Sequence, residues 1–218
     1  MASDIEVINL ALSNIRASSI NSLTEGSLQA QVAKLKYPFM RDRLLKETVW
    51  QFNRKLKPLS LLTIDLFNWA FTYQYPVDCL KIHRLVPAFE EIAAGSADVV
   101  SRRRESELRS LKDQRPQVPF AVFNEDGNKV IGSDDQELRI DYAAKVTDPN
   151  LFSDDFILAL SHLLAAEMAI PLIGAETGRQ LRSDEMTLYQ AYLDSAIADD
   201  MNDGYHTPPE SEFILVRG

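Results

Sequence analysis

The side chains best suited to chemistry are few and scattered. Cys79 and His83 stand four residues apart, and a thiolate and an imidazole at that spacing could share a metal only if the chain turned between them. In a strand they would face one way about 13 Å apart. Two ligands also fall short of the three or four donors usual around zinc. His162 lies inside a strongly apolar stretch, where a hydrogen-bonded polar group is expected rather than a general base. His206 reads as a solvated side chain. Asp154–Asp155, Asp184–Glu185 and Asp199–Asp200 supply carboxylates in adjacent pairs. Glycosidic chemistry needs two carboxyl groups across a cleft at a set separation, whereas such neighbours read as helix starts and exposed faces. Neither a Gly-x-Ser-x-Gly elbow nor a Walker-type phosphate loop occurs. The expectation is no catalytic residue, no metal and no cofactor. The rival from the enzyme class is a small hydrolase whose carboxylates or histidines converge in a pocket.

Two further groups could bind rather than react. Arg102–Arg103–Arg104 could touch phosphate or an acidic neighbour as a basic contact loop. Without interleaved aromatics, and in an acidic chain, the run reads first as a solvated loop. Trp50, Phe52, Trp69, Phe71, Tyr73 and Tyr75 could line a ligand pocket, but a seam between a helical part and a sheet is the simpler use. The net charge of -9 repels nucleic-acid phosphate at long range. It disfavours a DNA-gripping or DNA-associated regulatory protein, though not a protein that DNA slides past. In a closed ring that charge would multiply with subunit number, and an acidic bore would avoid trapping the polymer.

With 218 residues, 45% apolar and 25% charged, the chain suits one domain or two small ones and needs no metal or disulfide staple. Cys79 alone excludes an intramolecular disulfide and agrees with a reducing compartment. Met1–Ala2–Ser3–Asp4–Ile5–Glu6 lacks the basic and apolar regions of a signal peptide. No uninterrupted apolar run approaches the roughly 20 residues that cross a bilayer, so no membrane partner is expected.

The elements that must position these residues read as helices at both chain ends around a strand section. Ser3 and Glu6 form a capping box before Ile5, Ile8, Leu12 and Ile15. Ser22–Leu23–Thr24–Glu25 offers a second cap-like start, and Leu28, Val32, Leu35 and Phe39 continue on one face. Pro38 predicts a kink or a break in that helix, and the state of residues 50–64 stays open. Trp69, Phe71, Tyr73 and Tyr75 alternate as a strand, and Leu80, Ile82 and Leu85–Val86 suggest another. Glu125–Asp126–Gly127–Asn128 signals a tight hairpin, followed by alternation at Leu138, Ile140 and Tyr142. A small antiparallel sheet is therefore expected between about 69 and 147. Ser153 caps a helix apolar on most of its circumference, Pro171 to Gly178 breaks the pattern, and a last helix runs from about 179 to 200. The expected class is α+β: an up-down helical bundle from residues 1–65 and 150–203, with an inserted β-rich section at 66–149. That section carries a variable loop at 87–116.

Residues 204–218 follow as an extended tail. Pro208 and Pro209 precede Phe213–Ile214–Leu215–Val216–Arg217, an apolar run after a polar spacer that needs a surface to cover it. That surface is either the subunit's own core or a partner's groove or sheet edge.

The order of the segments resembles the tail tubular protein A type of head-to-tail adaptor found in short-tailed phages. The resemblance rests on Glu6–Val7–Ile8–Asn9–Leu10–Ala11–Leu12, Ile20–Asn21–Ser22–Leu23–Thr24–Glu25, and Tyr37–Pro38 with Arg41–Asp42–Arg43–Leu44–Leu45. It continues through Trp50–Gln51–Phe52, Tyr75–Pro76–Val77–Asp78–Cys79–Leu80 and Val146–Thr147–Asp148–Pro149. Ala165–Ala166–Glu167–Met168–Ala169 and Pro171–Leu172 complete it, so it covers about residues 4 to 200. It implies a noncatalytic virion protein at the head-tail junction, made in the host cytoplasm. Such a protein forms a homo-oligomeric ring of about twelve subunits between the portal protein and the tail nozzle protein. Double-stranded DNA passes through the channel without specific binding during ejection. Phe213, Ile214, Leu215, Val216 and Arg217 then become a docking tail for the portal or a neighbouring subunit.

Overall fold

The computed structural model describes residues 3–87 and 118–202. Arg102–Arg103–Arg104, His206 and Phe213–Arg217 lie outside the described residues, as do the tail 204–218 and all but Pro87 of the expected variable loop. The described residues are mixed helix and sheet, an α+β structure with four α-helices and two small antiparallel sheets. They divide into two compact units, one running up to Asn53 and from Val146 onward, the other from Arg54 to Lys145.

In the helical unit, α1 (Asp4–Asn14) starts on the expected capping box, with Ser3 Oγ accepting from the Glu6 N–H at 3.2 Å and Glu6 Oε2 from the Ser3 N–H at 2.7 Å. The Asn9 side chain then bonds both backbone groups of Ile20, which staples the following loop to α1. Helix α2 (Leu28–Glu47) is capped by Ser27, not by Ser22. Ser22 and Glu25 instead hold the preceding turn, bonding the N–H groups of Thr24 and Asn21. Pro38 lies within α2, which runs through it as one helix.

The inner face of α2 also differs from expectation. Ala30, Ala33, Tyr37, Arg41, Leu44 and Leu45 are buried, while Leu28, Leu35 and Phe39 are exposed. Small residues let α2 approach its neighbours closely, so the larger apolar stripe is left outside. Helix α3 (Asp154–Ile173), capped by Ser153, is long and apolar enough to suit a membrane by length and composition. Most of it is nevertheless buried, and it packs against all three other helices, as the central helix of a core would.

The last helix, α4 (Ala175–Asn202), begins directly after Gly174, several residues earlier than the sequence pattern implies. Gly178 lies inside its first turns for a packing reason. A Cβ there would meet the Ala169 carbonyl oxygen and Ile170 Cα at 2.8 Å, both backbone atoms of α3. Gly178→Ala is therefore expected to destabilise by about 1–3 kcal/mol through overpacking. That should outweigh the roughly 1 kcal/mol alanine gains over glycine in a helix. Thermal melting checks this, and a raised midpoint would mean that the helices part freely.

The strand unit starts earlier than residue 66. Residues 54–62, open in the sequence, form β1 (Arg54–Pro58) and β2 (Leu61–Leu62). They are followed by β3 (Phe71–Gln74), β4 (Cys79–Pro87), β5 (Ala121–Glu125), β6 (Asn128–Ser133) and β7 (Leu138–Ala144). One expected sheet is two, ordered β1-β7-β4 and β2-β3-β6-β5. Tyr73 and Ile131 from the second meet Leu85, Leu138, Ile140 and Tyr142 from the first in one core. The β5–β6 hairpin closes as expected, with Asp126 and Gly127 both at positive φ (49° and 80°), the pairing that a two-residue type I′ turn requires.

Candidate functional site

Among the described residues, the chemistry-bearing side chains do not converge on one place. Cys79 and His83 both lie on β4, but the β4–β7 register shifts between Cys79 and Lys81 and again between Ile82 and Arg84. The two residues fall into separate surroundings. Burial pushes the Cys79 thiol up against the opposing effect of the Tyr75 hydroxyl, which keeps it a thiol rather than a nucleophilic thiolate at neutral pH. Burial pushes His83 down, partly offset by the Asp141 carboxylate, and its Nε2 is buried with no hydrogen-bond partner. Among the described residues no three His, Cys, Asp or Glu side chains gather where they could hold a metal ion.

His162 is a satisfied buried group. Its Nδ1 lies 2.7 Å from Glu185 Oε2, and its ring stacks on Tyr192 at 4.8 Å and 6°. Asp154–Asp155 opens α3 as a helix start, whereas the other two acidic pairs split instead of lying wholly on exposed faces. Glu185 is buried while Asp184 faces outward, and Asp200 is buried while Asp199 is exposed. The Asp199 carboxyl near the end of α4 acts on Asp155 at the start of α3 and raises the Asp155 carboxyl. The six aromatics form two sets. Trp50 and Phe52 pack with Phe152 and Phe156 in the helical unit. Phe71, Tyr73 and Tyr75 belong to the strand-unit core, and Trp69 covers Gly132 of β6.

The structured features are joints between elements, and several carry the motifs singled out in the sequence. Tyr37 donates to the Asp4 carboxylate at 2.8 Å, tying α2 to α1, and burial followed by this bond pushes its hydroxyl far up. Just after α2, Trp50 Nε1 donates to the Leu44 carbonyl at 2.9 Å and the Asn53 amide to that of Leu45 at 3.0 Å. Both carbonyls belong to the last turn, whose oxygens have no partner within the helix. Between them, the Gln51 N–H meets both oxygens of the Asp200 carboxylate at 2.9 Å, which fastens the end of α4 to the same turn. Residues 50–53 are thus a bolt. Sequence reading picked out Trp50 and Phe52 as aromatics and missed this capping role; the paired Trp and Asn after a helix end were the available signal.

In the strand unit, Asp78 accepts from Lys55 at 2.6 Å and from the Tyr142 hydroxyl at 2.9 Å. Burial pushes its carboxyl up, but these two partners outweigh that and leave it below the usual range. The Cys79 N–H bonds the Pro76 carbonyl, so Tyr75–Pro76–Val77–Asp78–Cys79 is the turn that launches β4. An open groove of about 660 Å³ runs beside it, walled by Tyr75, Val77 and Cys79 and by the β5–β6 hairpin. Lys129 lies 5.3 Å above the Tyr75 ring there. No histidine lines this groove, and Val77 at its edge is 98% exposed. Its walls are mixed, with Glu125, Asp126 and Lys129 of the hairpin facing the same space as Leu62, Ile64 and Val77. No family model matches the chain, and no curated protein matches it.

Proposed function

We propose that this chain is a noncatalytic head-to-tail adaptor of a short-tailed phage virion. It assembles as a homo-oligomeric ring of roughly twelve subunits between portal and tail nozzle, around a channel through which DNA is ejected. The observation that carries the reading is the work done by the motifs behind the resemblance. Tyr37, Trp50 and Asp78 use side-chain polar atoms, and Gln51 its backbone N–H, to fasten neighbouring segments together. A part that holds its shape against confined DNA needs such joints more than it needs a nucleophile. On this reading the helices form an up-down bundle from both chain ends. Phe213–Arg217 are the docking residues of the C-terminal tail, and Arg102–Arg104 a basic contact loop.

Native mass spectrometry of the protein, alone and mixed with the portal of the same virus, tests the proposal. Portal-bound rings are expected, and a subunit that ignores the portal would overturn it. Deleting residues 204–218 is expected to leave a subunit that still folds and melts cooperatively. The same deletion should weaken portal pull-down about tenfold, the scale of 1.4 kcal/mol. Unchanged attachment, or a lost fold, would remove the tail from the mechanism.

A further inference from the structure

Helix α2 is apolar on two opposite sides. Its inner side is covered, whereas Leu28, Val32, Leu35 and Phe39 recur along the outer side, with Leu28, Leu35 and Phe39 55%, 64% and 67% exposed. At roughly 3.6 residues per turn these four form one narrow stripe diametrically across from Tyr37 and Ala33. Single exposed leucines are ordinary on a protein surface, but a contiguous exposed apolar patch marks a contact site.

The end of α4 points to the occupant. The Asp200–Gln51 bond places it beside the turn that follows α2. Beyond Asn202 the sequence runs through Pro208 and Pro209, which do not continue a helix, to Phe213–Ile214–Leu215–Val216. The extended reach from Asn202 to Phe213 is about 40 Å. Going back along α2 from Glu47, Phe39 lies about 12 Å away and Leu28 about 29 Å. The whole stripe is within range of a segment running antiparallel to α2. Charge order agrees with this direction. Glu210 and Glu212 come just before the apolar run, and Lys46 and Arg43, exposed on the stripe side of α2, come just before Phe39.

We propose that Phe213–Ile214–Leu215–Val216 of the same chain seats on the Leu28–Phe39 stripe of α2 in the free subunit, with Glu210 and Glu212 beside Arg43 and Lys46. The seat is a property of the isolated subunit and stands without the adaptor reading.

Cross-linking of the full chain in a Cys79→Ser background tests it. Leu35→Cys with Leu215→Cys is expected to give an intrachain disulfide, seen as a monomer on a non-reducing gel. With Lys34→Cys in place of Leu35→Cys, the yield is expected to fall about tenfold, because a tethered but undocked tail would reach both positions at similar effective concentration. Equal yields overturn the proposal, and so does a disulfide-linked dimer, which would assign the tail to a second copy. A readout free of new cysteines is cleavage after Glu212 by a glutamate-specific protease. Leu35→Lys with Phe39→Lys is expected to speed it about tenfold; an unchanged rate overturns the seat.

Discussion

Trp50→Ala is expected to cost about 4 kcal/mol of unfolding free energy, near the upper end for truncating a buried aromatic. Trp50 is fully buried and lies edge-on to Phe156 at 5.1 Å and 89°, with Phe52 tilted against it at 5.9 Å. Truncation empties a site walled by rings that cannot easily collapse inward. It also strips the Leu44 carbonyl of its donor, in a turn that holds the end of α4 through Gln51 and Asp200. Trp50→Phe separates the two losses. It keeps most of the ring and forfeits the N–H, so about 1–2 kcal/mol is expected. Urea denaturation measures both, and an alanine variant within 1 kcal/mol of wild type would show the bolt to be ornamental.

Asp141→Asn is expected to cost about 2 kcal/mol, the scale of hydrogen bonds to a charged group. Asp141 is 2% exposed and accepts from Arg54 at 2.8 and 2.6 Å and from Arg84 at 3.1 Å, bracing β7 between its two neighbours. Both arginine side chains remain about a third exposed, and water then relieves them, so the cost stays below the 3–5 kcal/mol or so of breaking a fully buried pair. Burial pushes the Asp141 carboxyl up, but the Arg54 and Arg84 guanidiniums outweigh it and hold it below the ordinary value of 3.8. A carboxyl depressed in the folded state contributes stability above its unfolded pKa and loses it as pH falls through the folded one. Wild type should therefore lose stability faster than Asp141→Asn as the pH drops below about 4. His83 supplies a second readout. The Asp141 charge opposes the lowering of its pKa, so the variant should titrate His83 at a still lower pH by NMR. Parallel acid curves would mean that the arginines do not hold the carboxylate.

Local signals carried much of the fold. Ser3 with Glu6, Ser153, and Asp126–Gly127 each act within a few residues, and each does in the structure what its type requires. Signals that depend on distant partners were not legible. Arg54-Lys-Leu-Lys-Pro58 looks like a polar linker, yet it is an edge strand whose partner β7 lies more than eighty residues along the chain. Helical periodicity fits both sides of α2 equally, and only the close approach of Ala30 and Ala33 selects the inner one. Glu185 reads as surface because its partner His162 sits on another helix. The joints were visible as motifs before their work was visible, since a cap is a relation between two places in the chain.

Arg54, where the strand unit begins, stands opposite Ala143, two residues before the unit ends at Lys145, so the chain enters and leaves it beside a pair of Cα atoms about 5 Å apart. Everything between is a segment whose two ends already lie side by side. Its internal length is uncoupled from the gap it must bridge, and the loop-closure entropy of holding it varies only slowly with size. Variation could accumulate within it, or a foreign module be spliced between Asn53 and Val146, without stretching the chain on either side.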